Sequence, residues 1–150
     1  MSFYNNLAKS NGENIALLPT LSVTAALTGT YPGRGGSAGV QVGTGVKNIS
    51  AFAVFDYGSG GTTAKAWIQT SFDKGVTWID IINFAFTTAD LNKVAAVSAN
   101  IAATHATPTD AALADNTINN GLIGDRIRLK VTTTGIYAAT TLKIDVTTKG

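Results

Sequence analysis

Few residues in this chain can carry out chemistry. One histidine, one glutamate and no cysteine occur among the 150 residues, so nucleophilic or general acid–base catalysis would have to be assembled from His105, Glu13, hydroxyls and aspartates. His105 adjoins a proline-containing stretch and is expected to be exposed. The densest constellation is SFDKGVTW, residues 71–78, with Ser71, Asp73, Gly75, Thr77 and Trp78 at fixed spacing. The chemistry this spacing supports is that of a chain reversal. Asp73 can accept turn N–H groups, Gly75 can take the positive φ of the reversal, and Trp78 can anchor the hairpin in the core. Asp80 lies close by, and two aspartates converging in a cleft would suit a hydrolase. Asp73, however, is already claimed by its own turn.

The remaining motifs have simpler readings. DNTINNG, residues 115–121, lacks the alternate acidic ligands and closing glutamate of a calcium loop, so it reads as an Asn-rich turn. GRGG at 33–36 lacks the Lys-Ser/Thr of a phosphate loop and reads as a connection. Trp67 and Trp78 could form a sugar-stacking platform, but core packing is the commoner use of such residues. Arg126, Arg128, Lys130 and Lys143 form a basic row that reads as a solvated sheet face or as a contact for an acidic neighbour. No catalytic, cofactor-binding or metal-binding residue is assigned.

These side chains must be positioned by strands. LSVTAALT, residues 21–28, alternates apolar and polar residues with the period of a half-buried strand. GTYPGRGGSAG, residues 29–39, is rich in Gly and Pro and reads as a loop, with Tyr31 and Arg34 as candidate contacts. ISAFAVFDY (49–57) is apolar on both faces, as a central strand is, and TTAKAWIQTS and TWIDIINFAF follow it. Residues 49–86 are therefore expected to form a three-strand antiparallel meander whose second turn is the SFDKGVTW octet. KVAAVSANIAAT (93–104) fits a strand better than a helix. Residues 105–121 read as a long excursion with one helical turn at DAALAD. Near the C-terminus, Gly135-Ile136 suits a type II′ turn, which would pair Ile127 with Ile144 and Leu129 with Leu142. That register would set Arg128 opposite Lys143 and Arg126 opposite Asp145. The fold expected is an all-β, single-domain antiparallel β-sandwich of about eight strands, with the jelly roll among its topologies. Residues 1–14 would be an N-terminal arm and 15–150 the domain.

Composition narrows the function classes. Charged residues make up 13% of the chain, about half the share of a typical globular domain. Thr, Ala and Gly take their place, which suits the close-packed subunit of an assembly. The net charge of +2 is spread along the chain, so no nucleic-acid partner is expected. No apolar run is long enough to span a bilayer and no secretory leader opens the sequence, so a soluble protein made in the cytosol, without a membrane partner, is expected.

Two resemblances follow from these residues. The octet resembles the Asp-box of sialidases and other β-propeller proteins, where it lies away from the catalytic centre. It implies a hairpin and no activity, since the three arginines here, Arg34, Arg126 and Arg128, do not make a carboxylate clamp. AKAWIQTSFDKGVTWIDI, GDRIRLKVTTTG and the charge-poor composition together resemble the small β-sandwich virion proteins of tailed bacteriophages, in particular capsid decoration or cement proteins. That resemblance implies a non-enzymatic homo-oligomer located in the virion, bridging copies of the major capsid protein and stabilising the shell. The N-terminal arm and loops 29–39 and 105–121 would be its contacts. The competing class is a carbohydrate-binding or host-recognition module of a tail or spike, which an exposed Trp67 beside Tyr57 or Tyr137 would favour.

Overall fold

The computed structural model describes residues 14–23, 26–31 and 39–150. Among them there is no helix and there are eleven strands: β1 (Asn14–Val23), β2 (Leu27–Tyr31), β3 (Val40–Gln41), β4 (Asn48–Asp56), β5 (Ser59–Gly60), β6 (Thr63–Ser71), β7 (Ile79–Phe86), β8 (Leu91–Ser98), β9 (Arg126–Thr134), β10 (Tyr137–Ala138) and β11 (Thr140–Lys149). One sheet, here called A, has the order β1-β11-β4-β8. The other large sheet, sheet B, has the order β2-β9-β6-β7 with β3 also on β9; β5 and β10 pair as a separate two-stranded sheet, and every pairing is antiparallel.

Alternation explains how the two sheets pack as a β-sandwich. On β11, Leu142, Ile144 and Val146 point inward; on β9, Ile127, Leu129 and Val131 do the same from the opposite sheet, and all six are fully buried. Phe55 of β4 stacks on Phe86 of β7 across the core, with ring centroids 4.8 Å apart. Burying six aliphatic side chains of this size contributes on the order of 10 kcal/mol before chain entropy is subtracted.

Several expectations are corrected. The apolar run at 49–57 does form a strand between two neighbours, but β4 buries one face only: Ala51, Ala53 and Phe55 face the core and Phe52 is 42% exposed. β4 does not pair with β6. The chain crosses from sheet A to sheet B between them, so the meander reduces to the β6–β7 hairpin. The expected strand 21–28 is split, with Leu21–Val23 in sheet A and Leu27 onward in sheet B. Gly29–Tyr31 belongs to β2 rather than to a loop, and Asn14, placed in the expected arm, already lies in β1. Residues 1–13 and the 32–38 part of the Gly-rich stretch, Arg34 and GRGG included, lie outside the described residues.

The C-terminal hairpin is also corrected. β9 and β11 lie in different sheets, so Ile127 and Ile144 enter the shared core from opposite sheets rather than pairing along a ladder. Gly135 does adopt a positive φ of 78°. The chain then turns to bury Tyr137 between the sheets instead of folding back on β9. The Tyr137 ring is 1% exposed, its hydroxyl donates to Thr87 O at 2.8 Å, and it meets Phe55 edge-on. β10 pairs instead with β5, with Tyr137 opposite Gly60.

Candidate functional site

Of the residues singled out by the sequence, Trp67, Asp80, Arg128 and Lys130 gather on the outward face of sheet B. Register sets them there: Gln69 lies between Arg128 on β9 and Asp80 on β7, and Trp67 lies between Lys130 and Asn83. A β-bulge makes this row. The β6–β7 register shifts after Ile68↔Ile82, so that Gln69 pairs with Asp80 and Ile81 is the extra residue. Without it, Asp80 would point into the apolar core; with it, the carboxylate is re-aimed outward beside Gln69.

The excursion after β8 covers this face. It is irregular throughout, with no helical turn at DAALAD. Asp80, 2% exposed, is its anchor. The carboxylate accepts Ala111 N–H at 3.1 Å, Ala112 N–H at 2.7 Å, Leu113 N–H at 3.0 Å and Gln69 Nε2–H at 2.7 Å. Ala111, with a φ of 58°, shares Oδ1 with Gln69, while Ala112 and Leu113 donate to Oδ2. A buried carboxylate facing this many donors is fastened in place. Trp67 Nε1 donates to Leu113 O at 3.0 Å, and Asn83 Oδ1 accepts Asn116 N–H at 2.8 Å. Further along, Asn83 N and Asn119 N bond to Thr117 O and Ile81 O, so the excursion also closes the free edge of β7.

The basic row is used inside this arrangement. Arg128 Nε donates to Gln69 Oε1 at 2.7 Å, and its guanidinium lies over the Trp78 ring, 4.4 Å from the centroid. Asp110, from the excursion, is held by Lys130 Nζ at 2.6 Å, by Gln69 Nε2 at 2.8 Å and more loosely by Arg128 at 3.7 Å. Burial opposes ionisation of Asp110, but the Lys130 and Gln69 hydrogen bonds and the Lys130 and Arg128 charges outweigh it and hold its carboxyl below the usual range. Lys65 pairs with Asp115 at 2.9 Å.

Arg126 and Lys143 do not join this group. Arg126 is half-buried beside Asp125, at 3.9 Å. Lys143 lies on the outer face of sheet A, paired with Asp145 at 3.3 Å. The expected oppositions of Arg128 to Lys143 and of Arg126 to Asp145 are thus both wrong, because the strands that carry them are in different sheets. Tyr31 is half-buried on β2 and packs against the core.

The SFDKGVTW octet joins β6 to β7. Ser71 Oγ donates to Asp73 Oδ1 at 2.8 Å and accepts Gly75 N–H at 2.8 Å, while Asp73 Oδ1 accepts Thr77 N–H at 2.7 Å and Val76 N–H at 3.2 Å. Lys74 and Gly75 both have positive φ, 60° and 91°. Trp78 closes the reversal by donating from Nε1 to Gly75 O at 3.1 Å. Its ring packs on the outward side of sheet B rather than in the inter-sheet core. The Thr77 backbone and side-chain hydrogen bonds, with that of Ser71, lower the Asp73 carboxyl to about 2.

Trp67 and Trp78 are 6% and 7% exposed and Tyr137 is buried, so none of these rings offers a stacking face. His105 is exposed. Among the described residues, no three His, Cys, Asp or Glu side chains gather as a metal site, and no helix is long and apolar enough to cross a membrane. Comparison with protein-family models, curated proteins and solved structures returns no match.

The fastening role of Asp80 and Asp110 was not apparent from sequence. For Asp80 one signal exists: the Ile81-Ile82 doublet interrupts the period of two in TWIDIINFAF and marks the bulge. Asp110 carries none, because its partners are set by the path of the excursion.

Proposed function

We propose that this chain is a non-enzymatic structural protein of a tailed-phage virion, most consistent with a capsid decoration or cement protein that bridges major capsid subunits. The observation that carries the reading is the internal use of the chain's charges. Arg128, Lys130, Asp110 and Asp80, the groups best suited to act on a ligand, are engaged with one another and with Gln69 to hold the excursion down. What faces outward is charge-poor and partly apolar, as suits contacts shared among many subunits.

Strand order supports the same reading. Of the eleven strands, eight are five residues or longer; in chain order they run first-eighth-third-sixth in sheet A and second-seventh-fourth-fifth in sheet B. We read that order as a jelly roll, an architecture used by viral capsid domains as well as lectins. Contact with the shell would use the exposed side of the excursion and the hairpin tip, where Phe72 and Val76 are 61% and 81% exposed.

The test is to mix the purified chain with particles stripped of it and count the bound copies. Copies on the order of hundreds per particle, as multivalent coverage of a shell requires, support decoration. A handful places the protein at a tail or vertex and overturns the cement role. Absence of any particle association overturns the virion reading.

A further inference from the structure

The four sheet edges are not treated alike. β7 is capped by residues 117–119 through main-chain hydrogen bonds. β1 contains Pro19 and two register irregularities, both devices that spoil an edge for pairing. On the far side of sheet B, β2 and β3 share the flank of β9 as two short pieces of five and two residues. β8 differs: it is eight residues long, pairs with β4 in unbroken register, and ends sheet A.

Ser98 N donates to Asn120 Oδ1 and Ser98 O accepts Gly121 N–H, so the main-chain groups of Ser98 point away from β4. By the two-residue alternation of an antiparallel ladder, those of Asn92, Val94 and Ala96 also point outward, toward solvent. Five of the eight large exposed apolar side chains among the described residues lie on or beside this strand: Phe52, Leu91, Val94, Ile101 and Ile118. The lone charge on β8, Lys93, does not guard the edge. It points between the sheets, where its ammonium is bound to Ala85 O at 2.5 Å and Asn116 Oδ1 at 2.6 Å.

We propose that β8 is a self-association edge, pairing antiparallel with β8 of a second copy about a two-fold axis at Val94. The outward parity of Asn92, Val94 and Ala96 allows axes at residue 93, 94 or 95. An axis at Lys93 sets two ammonium-bearing strand positions directly opposite each other, which is unfavourable. An axis at Val94 sets Lys93 against Ala95 of the second copy, Leu91 against Val97, and Val94 against its own mate. It also extends the Phe52–Val94 pair into an apolar stripe of four side chains across a continuous sheet, covering the most exposed large apolar residue on the strand, Val94 at 72%. An axis at Ala95 would leave Leu91 opposite Ala99, beyond the strand. Ile118, beside the groove between β8 and residues 116–118, would then be covered too. This inference rests on the virion reading and locates the self-contact of the homo-oligomer that the resemblance to decoration proteins implies; its test uses the isolated chain, so that it can fail independently of that reading.

The experiment is register-specific and free of background, because the chain has no cysteine. Directly opposed residues have Cα atoms about 5.5 Å apart, within disulfide reach. Val94→Cys should therefore form a covalent dimer under mild oxidation. Ala96→Cys, offset from its own mate by four residues or about 14 Å, should not, whereas the double variant Asn92→Cys/Ala96→Cys should. Val94→Lys alters a side chain already in solvent, so the fold is retained, and it should weaken dimerisation by about tenfold or more in sedimentation. Equal cross-linking of Ala96→Cys and Val94→Cys overturns the register. A wild-type chain that stays monomeric in sedimentation yet coats particles overturns the β8 interface and leaves the virion reading standing.

Discussion

On sheet B the outward side chains Trp67, Gln69 and Asp80 are buried beneath the excursion, while on sheet A the outward Phe52, Val94 and Lys143 stand in solvent. Both faces come from strands with the same alternating pattern. The difference is a covering segment, anchored at the Asp80 carboxylate beside a bulge and fastened further by Asp110, Trp67 and Asn83. It teaches that a polar outer face is not by itself a recognition surface: on sheet B the polar groups are fasteners, and the open face of sheet A mixes polar side chains with the exposed Phe52 and Val94.

The comparison can be broken at its anchor. Asp80→Ala leaves three backbone N–H groups and the Gln69 amide without their acceptor, and should cost about 3 kcal/mol in denaturant unfolding while opening residues 105–121 to protease. Unchanged stability would mean that the excursion is held elsewhere.

A smaller, paired effect separates the faces directly. Arg128→Ala removes a bond to Gln69 and the contact with Trp78, and should cost about 1–2 kcal/mol. Lys143→Ala, on the open face, should fall within about 0.5 kcal/mol of the parent. Equal losses from the two would remove the distinction between covered and open faces.

The smallest effect expected is a pH dependence at the hairpin. The folded-state pKa of Asp73 is depressed from 3.8 to about 2, so its contribution is complete above the unfolded value and is lost as pH falls through the folded one. Protection of the Thr77 and Val76 amides, taken relative to the intrinsic exchange rate at each pH, should fall between about pH 4 and pH 2, before the core strands open. Protection that is flat across this window would show that Asp73 does not hold the turn.

Strand existence was legible in the sequence, and sheet membership was not. Period-two alternation marks which side chains point inward, and Leu142, Ile144, Ile127 and Leu129 were identified as apolar-face residues on that basis. A strand in either sheet carries the same signal, however, so β4 was given to β6 and β9 to β11 when both connections cross the core. The octet at 71–78 was legible because the side-chain hydrogen bonds that shape its turn are local, within four residues. The fastening of Asp80 and Asp110 spans thirty residues or more from Asp80 to Ala111 and twenty from Asp110 to Lys130. Nothing in the local pattern of either aspartate specifies such distant partners.

The pairing of β1 with β11 has a mechanical consequence. Asn14 opens β1 beside Thr147 near the end of β11, and the two strands run antiparallel from there. A pull applied at Asn14 and Lys149 would therefore meet these hydrogen bonds one at a time and peel the strands apart, instead of shearing the whole row at once. Tension would be resisted far better if it entered through the faces and edges of the sandwich than through the ends of its first and last strands.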